Sequence, residues 1–108
     1  MDCIFCKIGQ KEIPSEIIWE SQNLLAFQDI HPMAPVHVLL IPKKHIESLV
    51  RFQPEDKGLM AEIFGAIPEV AQLLGIKEKG FQTLIRTGKG GGQEVPHLHI
   101  HILGGTHF

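Results

Sequence analysis

The sequence predicts an α+β fold, because it contains both strand-like and helix-like segments. Residues 97–102 alternate histidine with aliphatic residues, a period of two that is typical of a β-strand. Residues 54–74 repeat apolar side chains every three or four positions, which indicates one long helix. Residues 2–9 carry a shorter apolar stripe, so we expect a short N-terminal helix with Asp2 as its cap.

Three further strands are predicted from short apolar runs bounded by turn residues. Residues 16–20 and 24–30 flank the turn-forming segment 21–23 and predict a β-hairpin. Residues 37–42 form a largely apolar run that is typical of a buried strand. In the long helix, the predicted buried positions are Leu59, Met60, Ile63, Phe64, Ile67, Val70, Ala71 and Leu74.

Composition and charge argue against several classes of function. The chain has 108 residues and a net charge of −2 with histidine neutral, so it has no basic excess for broad binding to nucleic acid or anionic membranes. Its apolar runs are too short to cross a bilayer. The N-terminus lacks the basic and hydrophobic regions of a signal peptide. We therefore expect one cytoplasmic domain spanning residues 1–108.

The alternating segment places His97, His99 and His101 on one face of its strand. Buried imidazole nitrogens need hydrogen-bond partners, so three neighbouring histidines are poor material for packing alone. They indicate either a metal site or a histidine nucleophile flanked by histidines that manage protons. The glycine-rich residues 88–94 precede the strand and could bring backbone N–H groups close to an anion. This loop favours phosphate chemistry over a catalytic metal.

Cys3 and Cys6 form a Cys-x-x-Cys pair near the N-terminus. Three interpretations are open from the residues alone. The thiols could be packed in the core, since cysteine is readily buried. They could form a redox pair, although the βαβ context that supports one is missing. They could also supply half of a structural zinc site, which needs two more ligands.

Several motifs together resemble the histidine-triad (HIT) superfamily. The alternating histidines are followed by Leu103-Gly104-Gly105, and this tail and the Gly-Gly-Gln loop resemble the Hint branch of nucleotide-binding phosphoramidases. The resemblance implies a HIT-like fold, with an antiparallel five-stranded sheet in which residues 80–86 form the fifth strand. It also implies a homodimer joined through that strand and the long helix. Further segments that match the family in order are residues 4–8, 12–14, 25–30, 34–37 and 41–45.

The resemblance implies hydrolysis of purine nucleoside 5′-phosphoramidates. His99 would attack the α-phosphorus, and water would then hydrolyse the nucleotidyl-histidine intermediate. His97, His101 and His37 would assist, His37 from the neighbouring strand. The alternatives are a dinucleoside polyphosphate hydrolase or nucleotidyltransferase of the same superfamily, a nucleotide-binding scaffold with little catalysis, and a metalloenzyme that uses the histidine triple.

The resemblance also implies a binding site for an AMP-like or GMP-like nucleotide. Phe27 would help to hold the base, and Asp29 would accept hydrogen bonds from the ribose hydroxyls, although aspartate before a turn can be a simple turn-former. The apolar members could equally be core residues, and the two roles are compatible. The full predicted set is Ile4, Phe5, Ile8, Phe27, Asp29, Ile30, Arg86, Gly92, Gln93, Glu94, His99 and His101.

In zinc-bearing relatives, the metal ligands match Cys3, Cys6, His45 and His97. Such a set is a closed tetrahedral structural site. It would tie the N-terminal helix to the sheet and take His97 out of the catalytic proton chain. We expect no organic cofactor.

Two residues depart from the pattern of the animal Hint proteins. Glu94 stands where those proteins have a serine that is associated with protonating the leaving amine, and Arg86 stands where they have asparagine. A glutamic acid could replace the serine only if it were protonated. Arg86 could bind a phosphate, or it could pair with Glu94 and keep that carboxylate ionised. The preference for a leaving group therefore stays open.

Overall fold

A computed structural model of the chain describes residues 3–105. Over this range it contains a short and a long α-helix and a five-stranded sheet, as predicted. Three short 3₁₀ segments lie at residues 49–51, 54–56 and 89–91. The helices are α1 (Ile4–Gly9) and α2 (Lys57–Leu73), and the strands are β1 (Ile17–Glu20), β2 (Leu24–Gln28), β3 (Val36–Pro42), β4 (Gln82–Leu84) and β5 (Ile100–Gly104).

The strands form one antiparallel sheet in the order β1-β2-β3-β5-β4. The predicted hairpin of β1 and β2 is confirmed, and β5 lies between β3 and β4. Leu39 of β3 and Leu84 of β4 both pair with His101, so this histidine has a neighbouring strand on each side. No helix in the described part of the chain is long and apolar enough to span a membrane.

The two faces of the sheet pack against different helices. Leu98, Ile100 and Ile102 belong to the apolar core that contains α2, as the alternating pattern predicts. The opposite face carries the histidines and packs against α1 through a second apolar cluster. That cluster contains Cys3, Phe5, Ile8, Leu25, Phe27, Leu39 and Ile41.

The predicted buried stripe of α2 is partly wrong. Ile63, Ile67, Val70 and Ala71 are buried, but Phe64 is 57% exposed. Ala66, which was not predicted, is buried in the core with them. The stripe that contacts the sheet is therefore narrower than the apolar pattern indicates, and the Phe64 side chain lies outside it. Leu59 and Leu74 pack at its margins.

Several element boundaries differ from the prediction. Asp2 lies outside the described residues, and the N-cap of α1 is Cys3, whose Sγ accepts the Cys6 N–H at 3.4 Å. The last strand begins at Ile100 rather than at residue 97, because the Leu98 N–H donates to the Ile46 carbonyl at 2.7 Å instead of joining the ladder. The strand predicted over 80–86 is limited to Gln82–Leu84.

Candidate active site and metal-binding cluster

A pocket of about 420 Å³ opens on the histidine face of the sheet. Eleven of the twelve residues predicted to bind nucleotide line it, and so does His37. Of the predicted catalytic and nucleotide-binding residues, Gln93 and His97 do not line it. The lining residues named by the prediction are Ile4, Phe5, Ile8, Phe27, Asp29, Ile30, His37, Arg86, Gly92, Glu94, His99 and His101.

One end of the pocket is apolar and aromatic. Phe5, held by α1, packs edge-on against Phe27 with ring centroids 5.5 Å apart. The same Phe5 ring packs edge-on against His99, with centroids 5.1 Å apart. The segment that follows α1 adds Ile13, which the sequence analysis did not identify, because it lies in a loop without periodic apolar spacing. This end has the shape and chemistry to contact a flat aromatic group.

The hydrogen bonds of His99 determine which of its nitrogens carries the proton. Nδ1 lies 2.7 Å from the carbonyl oxygen of His97, which can only accept. Nδ1 therefore donates, and the lone pair of the neutral ring is on Nε2. Burial lowers the pKa of His99 below its ordinary value, so the neutral form is favoured. A neutral imidazole with a free lone pair is a nucleophile.

A similar argument assigns the protons of His37 and His101. The Met33 N–H donates to His37 Nδ1 at 3.0 Å, so His37 carries its proton on Nε2. That Nε2 lies 2.9 Å from His101 Nδ1 and donates to it, which leaves the His101 proton on Nε2. His101 Nε2 is buried and has no hydrogen-bond partner within residues 3–105. A buried N–H without a partner, in a pocket that contains a nucleophile, suits a bound oxyanion.

The pKa values of these two histidines are also lowered by burial. For His101 the pKa falls to about 4, because burial is reinforced by the neighbouring His99 and His37. For His37, burial lowers the pKa although the nearby Asp29 carboxylate acts in the opposite direction. Both rings are therefore neutral near pH 7, as the proton assignment requires.

Asp29 makes the contact of a turn-former and also lines the pocket. Its Oδ1 accepts the backbone N–H of His31 at 2.8 Å, which is the local contact of a turn-former. Its Oδ2 lies 3.3 Å from His37 Nε2, and the residue lines the pocket. One oxygen thus shapes the turn while the other is at the polar side of the pocket.

The glycine-rich loop is held in place by the side chain of Gln93. Its Oε1 accepts the Gly88 N–H at 2.8 Å, and its Nε2 donates to the carbonyls of Glu47 at 2.6 Å and Val95 at 2.9 Å. Gly92 has a φ of +80°, a left-handed conformation that favours glycine. Gln93 therefore braces the loop in this structure, whereas Gly92 and Glu94 line the pocket.

Arg86 and Glu94 both line the pocket but do not pair. No ion pair within 4.0 Å joins them, and none involves Arg86 in the part of the chain that the structure describes. The predicted alternative in which Arg86 neutralises Glu94 is therefore not what the structure contains. The Glu94 side chain is exposed.

Cys3, Cys6, His45 and His97 form a compact cluster behind the pocket. Their ligand atoms all lie within 4.8 Å of one another. His97 Nδ1 is 3.3 Å from Cys3 Sγ and 3.5 Å from Cys6 Sγ, and His45 Nδ1 is 3.3 Å from Cys6 Sγ. Tetrahedral zinc with ordinary bond lengths would separate sulfur and nitrogen ligands by about 3.6 Å. The cluster therefore has the donor types and the size of a Cys₂His₂ zinc site.

The second nitrogen of His97 supports the same interpretation. His97 Nε2 lies 2.8 Å from the Pro42 carbonyl oxygen and donates to it, which directs the Nδ1 lone pair toward the thiols. Burial, reinforced by the neighbouring Cys3, raises the pKa of Cys6 to about 11. A bound cation would instead lower the pKa of Cys6, because metal coordination stabilises the thiolate.

Comparisons with known proteins agree with this fold. The family model for the HIT domain matches residues 10–108. Protein HitA of Neisseria gonorrhoeae is 52% identical over 103 residues, which are 95% of each chain. The structure of a HIT family hydrolase from Legionella pneumophila Philadelphia 1 superposes with a TM-score of 0.94 at 45% identity, over 98% of this chain and 95% of that one. A histidine triad protein from Clostridium difficile superposes with a TM-score of 0.96 at 44% identity, over 100% of this chain and 94% of that one. The chain therefore belongs to the HIT domain family.

Proposed function

We propose that the protein is a Hint-type hydrolase that cleaves the P–N bond of purine nucleoside 5′-phosphoramidates. The observation that carries this proposal is the arrangement of protons on two histidines in one pocket. His99 presents a lone pair on Nε2, and His101 presents an unpartnered N–H, with ring centroids 5.0 Å apart. A nucleophile beside a preorganised donor is what attack on a phosphoryl group requires.

The pocket supports binding of a nucleotide in one orientation. The base would lie at the apolar end, against Phe5 and Phe27. The ribose hydroxyls would donate to Asp29, whose Oδ2 is on the pocket side. The α-phosphate would then lie at His99 and His101. The apolar end contacts a base without reading its edge, so both purines are accepted.

The proposed reaction has two steps. First, His99 Nε2 forms a bond to the α-phosphorus while the P–N bond breaks, and the departing nitrogen takes up one proton. Water then attacks the nucleotidyl-histidine and releases a nucleoside 5′-monophosphate. His101 donates its N–H to a phosphoryl oxygen in both steps, and losing one such donor typically costs about 3–4 kcal/mol of transition-state stabilisation.

We propose in addition that Cys3, Cys6, His45 and His97 hold a structural zinc ion. The support is the fit of the four donors and the Pro42 contact that orients His97. With its imidazole engaged in this way, His97 takes no part in proton transfer. Zinc would tie the start of α1, and with it Phe5, to the end of β3 and the segment before β5.

We propose that the protein acts as a homodimer. The supporting observations are the unpaired edge of β4 and the apolar side chains on α2 that stay exposed in the single chain, Phe64 at 57% and Leu73 at 62%. Pairing of the two β4 edges would extend the sheet and cover part of α2. The cytoplasmic location stays a prediction from the sequence.

The deciding experiment follows AMP release from adenosine 5′-phosphoramidate. Wild-type protein should release AMP, and His99→Ala should not, while AMP still binds to the variant. An EDTA-treated sample should retain activity at low temperature, which separates a histidine nucleophile from a catalytic metal. Tight AMP binding without any release by the wild type would overturn the hydrolase proposal and favour a nucleotide-binding scaffold.

A further inference from the structure

Arg86 is a half-buried cation that has no protein partner at the active site. It lines the pocket, and within residues 3–105 no carboxylate oxygen lies within 4.0 Å of it. Three lysines, Lys11, Lys43 and Lys44, are in ion pairs within the described residues. Lys11 and Lys43 each lie 2.7 Å from an oxygen of Glu20. A partly buried charge without a partner is unfavourable, so its position in a pocket indicates an anionic ligand.

The sheet places Arg86 on the side of the histidines that is opposite to the base. Leu84, the last residue of β4, pairs with His101, and Arg86 follows two residues beyond the end of that strand and lines the same pocket as His99. The strand order puts β4 and β2 on opposite sides of β5. Phe27, at the apolar end of the pocket, is on β2. The two ends of the pocket therefore flank the reacting histidine.

The glycine-rich loop lies against the arginine side chain. A Cβ atom on Gly92 would lie 3.7 Å from Arg86 Cδ, and Gly92 lines the same pocket. The positive charge of Arg86 contributes, after burial, to the lowered pKa values of His37 and His101. Arg86 is therefore close enough to act electrostatically on these two histidines of the pocket.

A substrate bound in the proposed orientation has its leaving group at this end. With the base at the β2 side and the α-phosphorus at His99, whatever is attached beyond the phosphorus extends toward β4 and Arg86. The unpartnered N–H of His101 is already available to a phosphoryl oxygen. The guanidinium of Arg86 lies beyond the α-phosphorus in this orientation and is suited to a second oxyanion, which it can bind with two parallel hydrogen bonds.

We propose that Arg86 determines leaving-group specificity by binding an anionic group carried by the amine. The inference rests on the proposed function. The preferred substrates are nucleoside 5′-phosphoramidates whose amine bears a carboxylate or a phosphoryl-type anion. Arg86 transfers no proton. It binds the anion while the P–N bond breaks, the nitrogen takes up a proton and the bond from His99 to phosphorus forms. The Glu94 carboxylate also lines the pocket and repels such an anion. Because Glu94 is exposed, water screens this repulsion.

Three substrates test the proposal, namely the adenosine 5′-phosphoramidates of propylamine, β-alanine and 2-aminoethylphosphonate. They differ in whether the amine carries no anion, a carboxylate or a phosphonate. For the wild type we expect kcat/KM for at least one anionic amine to exceed that for propylamine about ten- to hundredfold, the usual effect of one charge-assisted hydrogen-bonded pair. Comparison of the two anionic substrates identifies which anion is preferred.

Variants assign the preference to Arg86. In Arg86→Gln the ratio of anionic to neutral kcat/KM should fall to about one, because the charge-assisted pair is lost. Arg86→Glu should prefer the neutral amine. Arg86→Lys should retain an intermediate preference for the anionic amines, because lysine keeps the positive charge but cannot form two parallel hydrogen bonds. Arg51→Gln is the matched control, since it removes an exposed arginine outside the pocket and should keep the wild-type ratio. Each ratio is measured within one variant, so a general loss of activity cancels.

The outcomes separate this inference from the function on which it rests. Equal cleavage of all three substrates by the wild type would overturn the role of Arg86 and leave the phosphoramidase proposal intact. A wild-type preference that survives in both Arg86→Gln and Arg86→Glu would also overturn it. Cleavage of none of the three, with AMP still bound, would overturn both proposals.

Discussion

The carbonyl oxygen of His97 lies 2.7 Å from Nδ1 of His99, so one residue links the cluster of Cys3, Cys6, His45 and His97 to the proposed nucleophile. The imidazole of His97 belongs to the cluster with the two cysteines, while its carbonyl holds the proton of His99 on Nδ1. Phe5 strengthens the link, because it lies between the cysteines in sequence and packs against His99. The three alternating histidines therefore have different tasks, although they look equivalent in the sequence.

The first prediction concerns the cluster of Cys3, Cys6, His45 and His97. Protein purified without chelator should contain about one zinc ion per chain, and His45→Ala should lose it. Loss of the ion releases the start of α1 and should lower the free energy of unfolding by at least about 2 kcal/mol, or roughly 8–16 °C in Tm for a domain of this size. Metal analysis and thermal unfolding measure the two effects.

The control for this variant is His31→Ala, which removes an exposed imidazole outside the cluster. It should retain both the metal and the Tm of the wild type. Equal zinc content in the His45→Ala and wild-type proteins would contradict the proposed ligand set, whatever happens to their stability.

The second prediction concerns the chain of hydrogen bonds from Met33 through His37 to His101. His101→Ala removes the unpartnered N–H and should lower kcat by about 10²–10³. His37→Ala leaves that ring in place but removes the donor that orients it, so we expect a smaller loss, about tenfold. The double variant should resemble His101→Ala alone, because the two residues act through one donor.

Steady-state kinetics on adenosine 5′-phosphoramidate provide the double-mutant cycle. Additive losses, in which the double variant is slower by the product of the two single effects, would show that His37 acts independently of His101. The proton assignment would then not describe the working enzyme.

The third prediction concerns stability at acidic pH. Burial lowers the pKa of His101 from 6.5 to about 4 in the folded protein, so the unfolded chain binds a proton at a higher pH than the folded one. The contribution of His101 to the free energy of unfolding should therefore be fully present above pH 6.5 and decrease as the pH drops toward about 4. Below that pH, His101 causes no further decrease. Urea unfolding at a series of pH values measures this dependence.

His101→Gln isolates the contribution of this one group, because glutamine does not titrate. Its free energy of unfolding should fall less steeply than that of the wild type between pH 6.5 and 4. His31→Gln, at an exposed position, should keep the wild-type slope. Identical slopes in His101→Gln and wild type would show that His101 titrates alike in the folded and unfolded protein.

The sheet face of each histidine could be predicted from the sequence, whereas its protons could not. Alternation by two residues determines the face directly, so the separation of His101 from Ile100 and Ile102 follows from the pattern. The proton positions depend on partners that are distant or irregular in sequence, such as the Pro42 carbonyl for His97 and the Met33 N–H in a loop. No local pattern encodes them.

The exposure of Phe64 has a physical cause. Phe64 fits an apolar helical spacing, but spacing does not determine how wide a stripe the sheet can cover. The contact of Gln93 with a nucleotide stays a prediction. The hydrogen bonds of its side-chain amide with three backbone groups, one of them on Glu47, could not be predicted from the sequence, because they depend on the tertiary structure.

The fourth prediction tests this bracing role of Gln93. Gln93→Ala removes three side-chain hydrogen bonds, of which one spans the glycine-rich loop and one joins it to the distant Glu47, so we expect the free energy of unfolding to fall by about 1–3 kcal/mol. We also expect kcat/KM to fall about tenfold or more, because Gly92 and Glu94, which line the pocket, are then misplaced. Urea unfolding and phosphoramidase kinetics measure the two losses.

Gln22→Ala is the matched control, since it shortens an exposed glutamine in the turn between β1 and β2 and should change neither quantity. The informative comparison is between substrates. A bracing residue affects the loop, so Gln93→Ala should slow the propylamine and β-alanine phosphoramidates by the same factor. A loss confined to one of them would mean that the Gln93 side chain contacts the leaving group, which requires a loop conformation other than the one in which all three of its hydrogen bonds are made.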